Sequence, residues 1–431
     1  MVECYIEDIG QYVGQEVKLK GWVYNLRSSG KIRFIVFRDG TGTIQVVMVK
    51  SELPEEVFEQ HKELTQESSI IVTGIVSEHP RQKGTYELQL TDLEIVQICE
   101  DYPITKKEHT TGFLMGHRHL WLRSSRQYKI MRIRNEILMA FRQYFYENGF
   151  ILIDTPLLTG SIGETAATLF ETQYFDLGKA YLAQTGQLYL EAACMAHGKV
   201  YCLGPTFRAE KSKTRRHLTE FWMLEAEVAY LEHEGNLDLQ EDMVCCVVSR
   251  VLENCTDQLE ELGRDLAPLR NVQKPFYRID YNEAVEKLQA AGSNIEWGHD
   301  LGGEDETILT NMYDRPVFVS NYPREAKAFY MKRNPDDPRT VLCADLLAPE
   351  GYGEIIGGSQ REDNYDYLVE EIKRNDLPLD VYGWYLDLRK YGSVPHSGFG
   401  LGIERTVGWI CGLPHVRETI PFARMLYKLY P

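Results

Sequence analysis

The sequence predicts an α+β protein in which a small β-barrel precedes a larger domain of mixed strands and helices. Three observations carry this prediction. Alternating apolar and polar runs fill residues 17–96, a segment without steady periodicity covers residues 101–125, and helical and strand-like runs then alternate toward the C-terminus. The 431 residues also exceed the usual length of one domain, so two or three domains are expected.

The first region, predicted as residues 1–100, has the pattern of a five-stranded Greek-key barrel. A turn at residues 39–42 joins the second and third strand-like runs into a hairpin. An amphipathic piece, ELPEEVFEQHKEL, separates the third run from the fourth and suits the helix that closes one end of such a barrel. The five runs are VKLKGWVY, IRFIVF, TIQVVMV, SIIVTGIV and TYELQL. This order predicts an OB-fold.

The predicted barrel carries candidates for nucleic-acid binding on two neighbouring strands. Barrels of this kind commonly stack unpaired bases on aromatic side chains of an exposed sheet face. Phe34 and Gln45 lie on the strands that the hairpin joins, so they are candidate binding residues. Ordinary barrel packing explains Phe34 at least as well from its spacing alone, and both interpretations stay open.

The region after the barrel is predicted to consist of a connector and one α+β domain. Residues 101–125 combine Pro, Gly, His and basic residues, which is typical of a connector. Residues 126–431 then open with a strong helix that Asn148-Gly149 ends, followed by the strand FILIDTPLL. The apolar side chains of that helix recur at steps of three and four, at Ile130, Ile133, Ile137, Phe141 and Phe145.

Composition excludes several classes of protein. The chain is 43% hydrophobic and 26% charged, and it has no apolar run near the roughly 20 residues that cross a bilayer, so no membrane span is predicted. The acidic N-terminus does not resemble a signal peptide, and the expected compartment is the cytoplasm. Nine cysteines without C-x-x-C or zinc spacing are predicted to be reduced thiols. A net charge of −17 argues against non-specific polyanion binding but permits a local phosphate site.

One stretch, FRAEKSKTRRHLTEF, crowds five cations and two carboxylates between two phenylalanines. Arg208 and Glu210 are two residues apart, so on a strand they would share a face. A basic tip follows, and His217 and Phe221, four apart, would share a face of the returning strand.

Such a hairpin can hold a nucleotide. Arg208 suits a phosphate, Phe221 a base and Glu210 an exocyclic amine, with His217 nearer the outer phosphates. A solvated basic hairpin explains the same residues equally well, and no Gly-rich phosphate loop of the form GxxxxGK[ST] occurs in the chain.

Two further groups of residues suit ATP. HSGFGLGIER places three glycines before Arg405, where the backbone can approach a nucleotide closely and a guanidinium can meet its terminal phosphate. Asp345 and Glu354 could share Mg²⁺ with ATP, because Mg²⁺ usually takes one or two protein carboxylates plus phosphate oxygens. Taken alone, two separated acids are more often surface residues.

Together these segments resemble a known family. FRAE…RHLTEF, the helix–strand–Pro156 unit and GLGIER resemble motifs 2, 1 and 3 of the class II aminoacyl-tRNA synthetases, and the OB-fold makes the resemblance one to subclass IIb. TGQLYLE, GEIIGGSQR and YGSVPHSGFGLG resemble the asparaginyl-tRNA synthetases most. The resemblance covers essentially the whole chain and implies an antiparallel-sheet catalytic domain over residues 126–431.

The resemblance implies roles at the nucleotide. Arg208 would hold the α-phosphate and the substrate carboxylate, and Arg405 would act with it in catalysis. Adenine would lie between Glu210 and Phe221. The outer phosphates would meet Arg216, His217 and Arg405, and Mg²⁺ would be held by Asp345 and Glu354. ATP would be the substrate, with the terminal adenosine of a tRNA as acceptor.

The resemblance also implies the amino acid. Glu164 and Gln187 match residues that grip the ammonium group, and Arg361 matches the arginine that meets the substrate side chain. Aspartyl enzymes carry a lysine where this chain has Leu190, so a cation is missing here. Glu225 can accept from a side-chain amide and would repel a carboxylate, which favours L-asparagine and tRNA(Asn).

The resemblance further implies a homodimer through the helix at about residues 126–148, whose apolar stripe fits intrachain packing equally well. Several residues depart from the family pattern. Thr165, in the loop Gly160–Phe170 that would close over the substrates, stands where glycine is usual, Lys390 stands where an arginine is common, and Ala226 replaces a proline. These departures leave open a synthetase-like paralogue that activates another small amino acid, such as aspartate, or that binds tRNA as a regulator.

Overall fold

The computed structural model describes residues 2–160, 163–164 and 168–431. The chain divides after Thr111 into two compact units. This division lies within the segment predicted as a connector, residues 101–125. The second half of that segment forms two short helices, and the buried guanidinium of Arg118 there donates hydrogen bonds to the carbonyls of Ile420 and Pro421, at 2.8 Å each.

The first unit is a closed barrel. Its strands are β1 Val2–Glu3, β2 Glu16–Ser29, β3 Ile32–Arg38, β4 Thr43–Val49, β5 Ser69–Glu78 and β6 Tyr86–Gln97. Five of them form a ring in the order β2-β3-β4-β6-β5, and pairing of β5 with β2 completes it. All neighbours in the ring are antiparallel except β4 and β6.

Alternation within the strands builds the barrel core. Ile35 and Phe37 of β3 are fully buried inside, while their neighbours Phe34 and Val36 remain partly exposed outside. The predicted helix between the third and fourth barrel strands is α1 Glu55–Glu59, and its Phe58 packs into the core. Five ring strands and this helix confirm the predicted OB-fold.

The second unit is built on a large eight-stranded sheet and a separate three-stranded sheet. Their strands are β7 Ile151–Leu152, β8 Leu158–Thr159, β9 Glu171–Gln173, β10 Lys179–Leu182, β11 Lys199–Phe207, β12 Glu220–Ala229, β13 Tyr277–Asp280, β14 Val317–Ser320, β15 Cys343–Ala348, β16 Gly353–Gln360 and β17 His396–Gly402. The large sheet has the order β13-β14-β15-β16-β17-β12-β11-β7 and the small one the order β8-β10-β9. The large sheet is antiparallel except for the outer pairs β13–β14 and β11–β7.

Helices pack around the large sheet. They are α2 Thr111–Gly116, α3 Arg118–Trp121, α4 Ser125–Glu147, α5 Gln187–His197, α6 His233–Asn254, α7 Thr256–Glu261, α8 Ala267–Arg270, α9 Tyr281–Ala290, α10 Gly303–Thr310, α11 Tyr365–Arg374, α12 Gly383–Lys390 and α13 Ile403–Ile410. None of the helices in the described ranges is both long and apolar enough to cross a membrane.

The long helix α4 shows how the sequence sets this packing. The hydroxyl of Ser124 accepts a hydrogen bond from the backbone N–H of Gln127 and so caps the helix. The apolar stripe predicted from Ile130 to Phe145 is buried against α6 and the sheet. Gly149, with φ of +76°, provides the left-handed turn that leads out of the helix.

Candidate active site

The candidate site lies on the face of the large sheet opposite α4 and α6. Leu224, Phe399 and Leu401 point into the core on the helix side. The alternate residues of these two strands, β12 and β17, point to the other face. There β17 contributes Gly398 and Gly400. A Cβ atom on Gly398 would lie 2.1 Å from Glu227 Oε1, and one on Gly400 would lie 2.5 Å from Met223 Cε. These two glycines leave room for the side chains of β12 on the site face.

A cleft on this face brings together most of the residues predicted to bind a nucleotide. The ladder between β11 and β12 ends at the pair Phe207 and Glu220, so the placement of Arg208 and Glu210 on one strand, and of His217 on the returning strand, is wrong. One further hydrogen bond, Arg208 N to Thr219 O at 3.0 Å, follows before the chain leaves the sheet. The cleft is lined by residues from this loop, β12, β16, β17 and α13, including Arg208, Glu210, Arg216, His217, Phe221, Glu354 and Arg405.

Two cationic side chains of the cleft, Arg208 and His217, pair loosely with carboxylates and stay partly exposed. The guanidinium of Arg208 lies 5.5 Å from the centre of the Phe221 ring and 3.9 Å from Glu164 Oε1. Its Nε is buried without a hydrogen-bond partner among the described residues. His217 Nε2 lies 3.6 Å from Glu210 Oε2. Burial and the nearby charge of Arg405 lower the pKa of His217, which favours a neutral ring.

Arg216 differs from the other predicted cations because its donors are already engaged. Its guanidinium donates to Glu306 Oε2 at 2.7 Å, to Thr307 Oγ1 at 2.7 Å and to the carbonyl of Gly351 at 2.6 Å. These bonds fasten the loop to the middle of α10 and to the turn before β16, at the edge of the cleft. Contact of Arg216 with a phosphate stays a prediction.

The two carboxylates predicted to hold a metal converge above one glycine. A Cβ atom on Gly357 would lie 3.1 Å from Glu354 Oε1 and 3.5 Å from Asp345 Oδ1. Arg405 Nη1 donates to Glu354 at 2.8 Å, and Lys327 Nζ donates to Asp345 at 2.7 Å. Burial raises the pKa of Asp345 to about 7 even though the charge of Lys327 opposes that rise. The described part of the chain has no group of three or more His, Cys, Asp or Glu side chains that could hold a metal ion. An ion bound by these two carboxylates would therefore also need oxygen ligands from outside the protein.

The predicted amino-acid end of the site is closed. Arg361 donates through Nε to Glu227 Oε1 at 3.0 Å, through Nη2 to the same carboxylate, and through Nη1 to Ser359 Oγ at 2.7 Å. The guanidinium of Arg361 lies 5.3 Å from the centre of the Tyr330 ring. The hydroxyl of Tyr330 donates to Glu164 Oε1 at 3.2 Å. Burial raises the pKa of Glu227, and the charge of Arg361 opposes that rise.

The sequence did not single out Glu227 as a site residue, although the strand pattern of β12 indicates that it faces the site. Counting in steps of two along β12 from Phe221 leads through Met223 and Glu225 to Glu227, so all four residues belong to the site face. The step-of-two rule needs the strand to run through residue 227, and the sequence alone does not fix where β12 ends.

Glu225 is held by the start of α5. Its carboxylate accepts from the backbone N–H of Gly186 at 2.8 Å, from the hydroxyl of Thr185, and from Cys202 Sγ at 3.4 Å. These bonds suit a role in positioning α5, and contact of Glu225 with a substrate amide stays a prediction. Leu190 is fully buried in an apolar cluster between α5 and β11, where it adds no charge.

Two other predicted contacts sit at the start of α5 and beside it. Gln187 is the first residue of α5, and its Nε2 donates to Glu191 Oε1 at 3.1 Å. The backbone N–H of Glu164 donates to Gln184 Oε1 at 3.1 Å. Of the predicted loop Gly160–Phe170, residues 161–162 and 165–167, including Thr165, lie outside the described residues.

The barrel unit places Phe34 and Gln45 on one outer face. Phe34 pairs with Arg27 on β2, and Gln45 pairs with Val36. Arg27 Nη2 donates to Gln45 Oε1 at 2.6 Å, and Gln45 Nε2 donates to Glu87 Oε1 at 2.6 Å. Arg27 and Glu87, which the sequence did not single out, thus orient the amide of Gln45. The half-buried Phe34 ring belongs to this face and not to the barrel interior.

Comparison with known proteins gives matches over the whole chain. The family model described as tRNA synthetases class II (D, K and N) matches residues 111–426, and the model of the OB-fold nucleic acid binding domain matches residues 17–96. The chain is 59% identical over 432 residues to the asparagine–tRNA ligase of Symbiobacterium thermophilum and 56% identical over 426 residues to that of Desulforamulus reducens, with 99% of each chain covered. The crystal structure of asparaginyl-tRNA synthetase from Pyrococcus horikoshii complexed with asparaginyl-adenylate is similar with a TM-score of 0.96, 46% identity and 99% coverage of both chains.

Proposed function

Because the chain belongs to the class II tRNA synthetases (D, K and N), we propose that it uses ATP to join L-asparagine to tRNA(Asn). The resemblance inferred from the motifs is thereby confirmed at the level of the family, and the full-length likeness to asparagine–tRNA ligases supports the amino acid. One structural observation carries the proposal most directly. The open cationic cleft and the closed Arg361–Glu227 pair lie on the same face of one sheet.

The closed pair suits a carboxamide. An asparagine side chain offers one acceptor oxygen and two N–H donors. Arg361 uses three of its N–H groups on Glu227 and Ser359, which leaves donors for the amide oxygen, while Glu227 can accept from the amide nitrogen. A carboxylate side chain would offer Glu227 no proton and would add like charge beside it.

The first reaction step needs placement and charge neutralisation more than an acid or a base. A carboxylate oxygen of asparagine attacks the α-phosphorus of ATP in line. The new bond joins oxygen to phosphorus, and the bond to the bridging oxygen breaks as pyrophosphate leaves with its electron pair. In this proposal Arg208 would neutralise the α-phosphate and the attacking carboxylate, and Phe221 would stack on adenine with Glu210 accepting from its amino group, because all three residues line the cleft.

Arg405 and His217 serve the outer phosphates in this proposal. Arg405 donates to Glu354 from the start of α13, so it is held at the edge of the cleft. A neutral His217 can donate a hydrogen bond to a phosphate oxygen without a change of charge. Arg216 would join them only after giving up its bonds to α10.

Asp345 and Glu354 fit Mg²⁺ that is shared with ATP, because their oxygens converge above Gly357. Magnesium bound there would neutralise charge on the phosphate oxygens. Lys327 holds the Asp345 carboxylate in place, and Arg405 does the same for Glu354.

The second step transfers the asparaginyl group to tRNA. The oxygen of a hydroxyl of the terminal adenosine bonds to the carbonyl carbon of the adenylate. The bond from that carbon to the phosphate oxygen breaks, AMP leaves with its electron pair, and the hydroxyl proton passes to solvent. The outer face of the barrel would read the anticodon, with an unpaired base stacked on Phe34 and another contacting Gln45. Arg27 beside them suits the phosphate backbone.

We also propose a homodimer in the cytoplasm. Large apolar side chains stay exposed near the end of α4, on β7 and around the small sheet, at Tyr146, Ile151, Leu152, Phe175 and Leu177. A second copy could cover them, and sedimentation of an active monomer would contradict this. All nine cysteines are free thiols, which suits a reducing compartment.

Exchange of labelled pyrophosphate into ATP tests the proposed function. We expect asparagine to support exchange and aspartate to support it at least about 100-fold less, because the site rejects a side chain that leaves polar groups unpaired. Transfer of labelled asparagine to tRNA(Asn) should follow. Exchange with aspartate but not with asparagine would overturn the proposal in favour of a paralogue that uses the acid, and exchange without transfer would favour a metabolic role.

A further inference from the structure

A buried carboxylate lies behind the closed end of the site and has no part in the steps above. Glu191 follows Gln187 by one turn of α5, and its side chain is fully buried. It accepts hydrogen bonds from four side chains: Gln187 Nε2 at 3.1 Å, Tyr385 OH at 2.8 Å, Arg389 Nη2 at 2.6 Å and, across a contact of 3.0 Å, His396 Nε2. A carboxylate this deep must be compensated by charge and hydrogen bonds.

The compensation comes mainly from Arg389, whose side chain is also fully buried. Its Nε donates to the carbonyl of Glu362 at 2.8 Å, and its guanidinium lies 4.3 Å from the centre of the Tyr385 ring. Burial alone would raise the pKa of Glu191, but the charges of Arg389 and His396 outweigh burial and lower it. Glu191 is therefore ionised at neutral pH.

This pair lies directly beside the pair that would meet the substrate side chain. The carbonyl of His396 accepts from the backbone N–H of Arg361 at 2.9 Å, and Arg389 donates to the carbonyl of Glu362, the next residue along the chain. Glu191 and Arg361 shift each other's pKa values toward the charged forms, and Glu191 raises the pKa of Glu227. Two arginines and two glutamates thus occupy one buried volume. Replacing the Glu191 carboxylate with a neutral group would make this volume more positive by one unit.

We propose that Glu191 is a specificity-determining residue that acts through its charge, cancelling Arg389 so that the side-chain subsite accepts a neutral carboxamide in preference to a carboxylate. This inference rests on the proposed function. It gives Glu191 a role distinct from packing, because the glutamine isostere keeps the size and most hydrogen bonds of the side chain but not its charge.

The test is the amino-acid preference of Glu191→Gln. Preference is measured as kcat/KM in pyrophosphate exchange for asparagine and for aspartate, and as inhibition of asparagine exchange by aspartate. We expect the ratio of aspartate to asparagine use to rise about tenfold or more in Glu191→Gln. Glu191→Asp keeps the charge with a shorter side chain, so its activity should fall with both amino acids while the ratio stays unchanged. An unchanged ratio in Glu191→Gln would overturn the inference.

Two more variants keep the test decisive. Arg389→Gln leaves the charge of Glu191 uncompensated and should therefore weaken inhibition of asparagine exchange by aspartate. This opposite change tests the inference if Glu191→Gln does not fold. Glu241→Gln removes a buried carboxylate that accepts from Phe276 N on the helix side of the sheet and should leave the ratio unchanged. Wild-type protein without asparagine exchange would instead refute the proposed function, whereas normal wild-type exchange with an unchanged variant ratio would refute only the role of Glu191.

Discussion

The two ends of the candidate site use the same kinds of charged side chain in opposite surroundings. At the nucleotide end, the side chains of Arg208, Glu210, His217, Glu354 and Arg405 are 27–35% exposed. At the amino-acid end, those of Arg361, Glu227, Arg389 and Glu191 are 0–2% exposed. Glu227 and Arg361 lie on the sheet face that also borders the open end, whereas Glu191 and Arg389 belong to α5 and α12. These two helices and Tyr330 bury the closed end.

The difference in exposure indicates two modes of binding. Partly exposed cations can bind an anion directly, whereas buried ion pairs select a side chain through their compensated charges. A guanidinium that is about one-third exposed is partly solvated, so it can leave a protein carboxylate and bind a phosphate at little cost. A buried guanidinium is not solvated by water, so the fold itself must provide a carboxylate that compensates its charge. The open end therefore suits a polyanion that arrives and leaves, whereas the closed end suits one small side chain of fixed charge.

The largest effect is expected at the open end, from Arg208→Ala. Loss of this guanidinium removes the cation nearest the attacked phosphate, and the rate of asparagine-dependent pyrophosphate exchange should fall about 10³-fold or more. The thermal unfolding midpoint should not change, because the Arg208–Glu164 contact is long and partly solvated. A variant that keeps its exchange rate would remove Arg208 from the reaction.

The next effect concerns stability and falls on the closed end. Arg361→Met leaves Glu227 buried without its partner, which should cost about 3–5 kcal/mol of unfolding free energy and lower the thermal midpoint. Arg208→Met is the matched control and should cost at most about 1 kcal/mol. Equal midpoints for the two methionine variants would show that the two ends do not differ as their exposure indicates.

The same contrast explains which residues the sequence could predict. The open end is formed largely by one loop and by α13, so short motifs bring Arg208, Glu210, His217 and Phe221 near each other along the chain. The closed end is assembled over long separations. Glu191 meets Tyr385, Arg389 and His396 at separations of 194, 198 and 205 residues, and no local pattern indicates such contacts.

Two details of the open end also depend on tertiary contacts. The predicted strand at Arg208 and Glu210 gives way to a loop because the backbone N–H of Ala209 turns to the carbonyl of Thr168. Arg216 is bound by Glu306, which is 90 residues away. The barrel was predictable in fold because its alternation and turns are local, but Arg27 and Glu87 emerge only from the strand pairing that places them beside Gln45.

The smallest effect is expected on the outer face of the barrel that carries Phe34. This face is accessible like the open end, but its main candidate for binding is an aromatic ring and not a charged side chain. Phe34→Ala should lower kcat/KM for tRNA(Asn) about tenfold, because stacking of one base on an aromatic ring contributes about 1–3 kcal/mol. Exchange of pyrophosphate with asparagine should stay at the wild-type rate, since that step needs no tRNA. Tyr5→Ala removes a more exposed barrel aromatic and should alter neither assay, because its neighbour Ile6 bonds to Asp39, beyond the end of β3 and five residues from Phe34. Equal loss in both assays for Phe34→Ala would mean that the ring supports the fold, and an accessible surface would then not imply a binding role in this unit.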